Sequence, residues 1–170
     1  AIYRFPVPYL SSNALERDEY NCSKSLLRLK EEVRTAQEVI EQCEPQYCFI
    51  DGSIVPQYAD KPRKDSKVKG QYESILNDFQ NLYETAERKK CDLVACVEDS
   101  RGSRFRSILQ EEILRNDPGM GICAEELENV FDSSLLDHVL AKGERSFAFS
   151  YTRSIKEHPI LMDYDEHWAR

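Results

Sequence analysis

The sequence is short of several features that would settle its class at once. No apolar run approaches the roughly 20 residues needed to cross a bilayer, so no membrane partner is expected. No basic, apolar, small-residue leader resembling a signal peptide stands in it, and the expected address is the cytoplasm. A phosphate-cradling glycine loop is missing, since Gly119-Met120-Gly121 lacks the Lys and Ser or Thr that should follow and comes after no clear strand. The 3 histidines, His138, His158 and His167, offer Ser53 no identifiable partner, and a helical His138 reads as a surface or packing residue. Internal repeats and low-complexity tracts are absent. A surplus of positive charge is absent too: the formal net charge of −8 argues against a generic nucleic-acid coat, which needs Lys and Arg to displace counterions. It leaves room for an acidic centre that binds divalent metal while local basic patches hold a phosphate backbone.

What is present is the composition of a globular domain. With 170 residues, 41% hydrophobic and 32% charged, the chain is long enough to bury a real core, and a single domain over 1–170 is expected. It opens on Ala-Ile-Tyr-Arg-Phe-Pro-Val, inside strand-like sequence, and stops at Asp-Glu-His-Trp-Ala-Arg without a closing element. Both ends read as cut edges, so the domain is expected to be incomplete at one or both of them. The 6 cysteines are Cys22, Cys43, Cys48, Cys91, Cys96 and Cys123. Cys43–Cys48 and Cys91–Cys96 are spaced more widely than common zinc knuckles and lack histidines behind them. Cys48 and Cys96 lie in apolar runs, where a free thiol behaves as a small hydrophobe. Reduced core cysteines are expected over a metal site.

Along the chain, residues 2–10 show period-two apolar spacing broken by prolines, which reads as an edge strand. Ser11-Ser12-Asn13 supplies helix-capping chemistry. From about Asn21 to Gln42, Leu26, Leu29, Val33, Ala36 and Ile40 recur at helical spacing, and Pro45 ends the element. Tyr47-Cys48-Phe49-Ile50 reads as a buried strand stopping at the turn Asp51-Gly52-Ser53. Asp60 to Gly70 is polar and aperiodic, a loop. A second helix is predicted from Tyr72 to about Lys90, with Ile75, Phe79, Leu82 and Ala86 inward, followed by a buried strand Leu93–Val97 ending at Glu98-Asp99-Ser100. Strand, helix, strand implies parallel pairing. Further helices are predicted at Ser103–Arg115 and Ser134–Ala141, and strands at Phe147–Tyr151 and Ile160–Met162. The expected class is α/β.

In open α/β sheets ligands collect beyond the carboxyl ends of strands, and Asp51 leaves such a strand with Gly52 beside it to permit close approach. Asp can coordinate Mg²⁺ or Mn²⁺, which prefer hard oxygen ligands; Asp-Gly is also the commonest kind of turn dipeptide. A second carboxylate is offered by Glu31 or Glu32 on the preceding helix. Glu32 flanks the apolar stripe, three residues after Leu29 and four before Ala36, which aims it toward the sheet, whereas Glu31 reads as more solvated. An ordinary charged helix face is the competing reading for both. Two basic segments stand out in this acidic chain, Lys61, Arg63, Lys64, Lys67 and Lys69 in the loop, and Arg101, Arg104 and Arg106 after the second acidic turn. They are where a nucleic-acid backbone would be gripped, or they are solvated faces.

These segments together resemble the NurA nucleases. Tyr47 to Ile54 resembles that family's strand–DGS–apolar motif, and Leu27 to Ala36 its upstream Arg–Glu helix. Leu93 to Arg101 is similar to its strand–Lys-Asp-Ser motif; Asp132-Ser133-Ser134-Leu135-Leu136, the later Gly143-Glu144-Arg145-Ser146 and the aromatic strand ending at Tyr151 fit the same order. The resemblance spans about residues 15–163. It implies a ribonuclease-H-like mixed sheet flanked by helices and Mn²⁺-dependent (or Mg²⁺-dependent) cleavage of single- and double-stranded DNA with 5′-to-3′ exonuclease action, in DNA end processing and double-strand break repair. It also implies a homodimer and a HerA-like hexameric translocase as partner. On it, Asp51 and Glu32 are catalytic metal ligands; from the two basic segments, Arg101, Arg104, Lys61, Arg63 and Lys64 are expected to bind the DNA. The chain departs from the family in three places. A further upstream Asp has no counterpart, Glu98 stands where Lys is usual, and Tyr164 and His167 do not match the spacing of the family's C-terminal Tyr and His. The rival expectation is a non-catalytic DNA- or helicase-binding adaptor.

Overall fold

A computed structural model describes residues 17–57, 60–97, 101–150, 152, 154–158 and 160–164. The expected strand at 2–10, the capping residues Ser11–Asn13, the turn Glu98-Asp99-Ser100, Tyr151 and His167 lie outside them. The chain forms two compact units, one of Ala1–Cys96 with Ile155–Arg170 and the other of Val97–Ser154.

The first unit is built from helix α1 (Arg17–Cys43), strand β1 (Tyr47–Asp51), helix α2 (Lys69–Lys89) and strand β2 (Asp92–Cys96). The helical spacing anticipated from the sequence becomes the core: Leu26, Val33 and Ile40 of α1 meet Tyr72, Ile75, Phe79, Leu82 and Ala86 of α2. Polar side chains at this seam find partners, as burial favours, save that Asp78 Oδ2 accepts no hydrogen bond. Ser23 Oγ donates to Gln71 Oε1 at 2.8 Å and Lys30 Nζ to Ser74 Oγ at 2.9 Å. Asp78, on the same seam, lies 3.5 Å from Arg34 and 3.8 Å from Lys30. α2 ends where Lys90 turns into the left-handed region at φ 56°, its amide and that of Cys91 closing back on Glu87 and Ala86.

β1 and β2 pair in parallel, Tyr47 opposite Asp92 and Asp51 opposite Cys96. Cys48, Ile50 and Leu93 turn toward the helices, while Tyr47 and Phe49 face outward and Phe49 keeps 69% of its surface open. The six cysteines are free thiols. Cys48 and Cys91 lie in or against the core, with burial raising both thiol pKa values. Cys96, expected inside, is exposed: it ends the ladder opposite Asp51, on the strand face turned away from that of Leu93.

The ribonuclease-H-like α/β mixed sheet is not what the chain forms. Among the described residues, helix dominates and the only sheet is the two-stranded parallel pair. The reason lies in the two later segments read as strands. A period-two pattern becomes a strand only beside a hydrogen-bonding partner, and 147–150 forms no ladder. Leu161–Asp163 winds into a 3₁₀ turn instead, with Met162 N donating to His158 O and Asp163 N to Ile160 O.

The second unit is a set of short helices, α3 (Arg104–Ile108), α4 (Gly121–Glu126) and α5 (Asp132–Val139). The expected helix Ser103–Arg115 keeps helical winding but changes pitch, passing through a π turn at Leu109–Ile113 into a 3₁₀ turn at Leu114–Asn116. Asn116 Nδ2 donates to the carbonyls of Glu111 and Glu112 there, supplying partners the altered winding leaves open. The first turn of α3 is capped from a distance: both carboxylate oxygens of Asp132 accept, from Phe105 N and Arg106 N, at 2.9 Å.

Candidate functional site

Asp51 is the last residue of β1, and the chain turns sharply after it. Gly52 takes φ +102°, a conformation in which a side chain would be strained, and its amide donates to Cys96 O at 2.9 Å. Ser53 Oγ then accepts from Val55 N at 3.2 Å, and the Tyr83 hydroxyl, from α2, donates to Ile54 O. Buried Pro56 completes the anchoring. The acidic end of β1 is therefore held by both the neighbouring strand and the core helix.

Glu32 reaches this place from α1. It and Asp51 line a cleft of about 510 Å³, together with Arg28, Glu31, Thr35 and Phe49. Both also line an adjoining cavity of about 130 Å³, where Gly52, Ser53 and Asp60 join them. Glu31, read as the more solvated of the pair, is partly buried, and Glu32 is the more exposed. Arg28, one turn earlier, puts its Nε 3.4 Å from Glu32 Oε1. A larger cleft of about 630 Å³ in the second unit, beside Arg115, Pro118 and Glu128, contains none of the expected site residues.

Asp60 and Arg28 were missed as site residues. Asp60 sits at the head of a run of Lys and Arg, so composition hides it, but local bonds fix it. Its Oδ2 accepts from Gln57 N at 3.2 Å, its amide donates to Gln57 O at 2.9 Å, and its carbonyl accepts from Cys22 Sγ at 3.7 Å. Burial raises its pKa above the ordinary carboxylate value, against the opposing pull of the Gln57 amide and the Arg28 guanidinium. Arg28 was available from the sequence as the i−4 partner of Glu32.

The basic residues divide. Arg63 and Lys64 are exposed. Lys61 is tied down: its Nζ lies 2.5 Å from Asp163 Oδ2, which also accepts from the Tyr72 hydroxyl at 3.2 Å. Burial, with Asp163 adding to it, pushes the Tyr72 phenol pKa up. Arg101 and Arg104 belong to the second unit and line neither cavity around Asp51. Tyr164 packs its ring 6.1 Å from that of Tyr83.

Two carboxylates sharing one cleft are donors of the kind Mn²⁺ or Mg²⁺ accepts, since such ions are often held by one or two carboxylates with water and phosphate oxygens filling the remainder. Among the described residues, no group of three or more His, Cys, Asp or Glu is gathered to hold a metal ion. Compared with known proteins, the chain matches no family model, no curated protein and no solved structure.

Proposed function

We propose that this chain is a metal-dependent deoxyribonuclease of the NurA kind, hydrolysing phosphodiester bonds at DNA ends. The observation that carries the reading is the shared cleft: Glu32 from α1 and Asp51 from the end of β1 line it together, with Arg28 Nε 3.4 Å from Glu32 Oε1. Glu32 and Asp51 would hold the ion, which supplies Lewis acidity and a bound water of lowered pKa. Arg28 offers a fork of donors suited to a phosphate, and exposed Arg63 and Lys64 extend the grip on a strand. The 5′-to-3′ direction, homodimer formation and a HerA-like hexameric translocase as partner rest on the sequence resemblance alone.

The test is degradation of end-labelled DNA in the presence of Mn²⁺ by the wild-type chain, Asp51→Asn and Glu32→Gln. Each variant is expected to lose at least about 100-fold in rate, as when a single transition-state contact is removed. Both positions are exposed, so their circular dichroism should match the wild type. The adaptor reading draws its support from the absence of a three-donor cluster among the described residues. DNA binding without cleavage, unchanged by Asp51→Asn, would establish it in place of the nuclease.

A further inference from the structure

We infer that the second unit carries a base-stacking platform for single-stranded nucleic acid, formed by Phe105, Phe147 and Phe149 and flanked by Arg104 and Arg145. The three rings touch one another, with centroids 5.6 Å apart for Phe105–Phe147, 6.0 Å for Phe105–Phe149 and 5.7 Å for Phe147–Phe149. Yet Phe147 keeps 53% of its surface open and Phe149 37%. Rings that contact each other while presenting their surfaces to water form a ready apolar step, and each nucleobase has a π-face that fits one.

The setting favours a polyanion. Segments 101–110 and 141–154 of this unit hold six basic residues and a single acid, Glu144, whereas segment 111–140 holds one basic residue and eight acids. Apart from Glu98 and Asp99 at its start, charge along the unit is sorted in this way, and Phe105, Phe147 and Phe149 fall in the basic segments. Arg104 Nε donates to Ser150 O at 3.1 Å, next in sequence to Phe149, and exposed Arg145 adjoins Phe147 through Ser146, whose carbonyl its guanidinium reaches at 3.3 Å. Asp132 is buried, with both oxygens accepting from the amides of Phe105 and Arg106, so it steadies one ring instead of repelling phosphate. Bases paired in a duplex keep their faces stacked on each other. The occupant is therefore an unpaired stretch or a frayed end, with arginine contacting its phosphates. This deepens the nuclease reading and rests on it, since it gives the DNA substrate a single-stranded foothold.

The full chain is tested without divalent ion, by fluorescence anisotropy on a labelled oligothymidine and on a blunt duplex. A second oligothymidine carrying 2-aminopurine reports stacking directly. Replacing both Phe147 and Phe149 with Leu keeps apolar bulk and removes the π-faces; replacing both with Tyr keeps the faces. The Leu pair is expected to lose roughly 5- to 100-fold in single-strand affinity and the 2-aminopurine signal change, with little effect on the duplex, while the Tyr pair stays near wild type. Equal single-strand affinity for the wild type and the Leu pair overturns the platform, as does a loss shared by the Tyr pair. Cleavage with Mn²⁺ is scored separately: a chain that stacks bases but never cuts keeps the platform and ends the nuclease reading. A chain that cuts while indifferent to the Leu pair does the reverse.

Discussion

Arg28 Nε stands 3.4 Å from Glu32 Oε1 across one turn of α1, so the carboxylate that shares a cleft with Asp51 already has a cationic neighbour. Removing that neighbour has opposite effects on the two classes of ligand. In Arg28→Ala the carboxylates are less neutralised, so Mn²⁺ alone should bind more tightly, read by isothermal titration. DNA should bind more weakly, with the slope of log affinity against log salt shallower by about 1. Stability should change by no more than about 0.5 kcal/mol, since the pair is largely exposed. Unchanged DNA affinity and salt slope would remove Arg28 from the proposed phosphate site.

Asp60 gives a stability signature with a definite sign. Burial raises its folded pKa above its unfolded one. The protonated form is then favoured by folding, and that contribution is present below the unfolded value and lost as pH rises through the folded one. Asp60→Asn keeps an oxygen for the Gln57 amide and removes the charge. It should therefore melt higher than wild type at neutral pH, with the difference shrinking as pH falls toward the ordinary carboxylate range. Thermal scans across that range check it, and a difference that grows in acid would contradict the assignment.

Asp78 tests the α1–α2 seam. It is 9% exposed and pairs with Arg34 and Lys30, so Asp78→Ala leaves two cations facing an apolar gap. The cost should be about 1–3 kcal/mol, less than for a fully buried pair because Arg34 is partly solvated. Glu73→Ala, which breaks an exposed i,i+4 pair with Lys69, should cost about 0.5 kcal/mol or less. Chemical denaturation of the two variants compares them directly.

Lys90 sits in the left-handed region at the end of α2, where glycine carries no side-chain penalty. Lys90→Gly is expected to stabilise the chain by about 0.5 kcal/mol once the added freedom of the unfolded state is subtracted. Lys90→Val, stiff at its β-carbon, should destabilise it by about 1 kcal/mol.

The sequence made some elements plain and concealed others. Leu26, Val33 and Ile40 against Ile75, Phe79 and Leu82 were readable because each helix repeats its apolar residues at its own turn spacing, and burial follows that period. β1, β2 and their parallel pairing were readable because two short apolar runs flank a helix. The alternation at Phe147–Tyr151 pointed the other way, because it specifies which faces a strand would present but not whether a neighbour exists to pair with it. Of the candidate site, turn chemistry pointed to Asp51, while helix phase, which aimed Glu32 inward and left Glu31 in solvent, misjudged which of the two is the more exposed. Asp60 could not be selected, since bonds to Gln57 and Cys22 define it and neither is visible in a run of charges. Asp132 escaped for the same reason: its role is to cap a helix nearly thirty positions earlier.

The parallel joining of β1 to β2 through α2 has a kinetic meaning. The two strands cannot meet until the whole intervening segment has closed into a loop, a step whose entropy must be met before any ladder bond forms. The Gly52 amide, bonded to Cys96 O, is therefore secured by a non-local contact and not by the turn beside it. Its hydrogen exchange should follow the opening of the entire first unit. The carboxylate of Asp51 then comes into register only as that unit finishes folding, so an unfolded or half-made chain has no assembled acidic cleft with which to engage an ion or a strand.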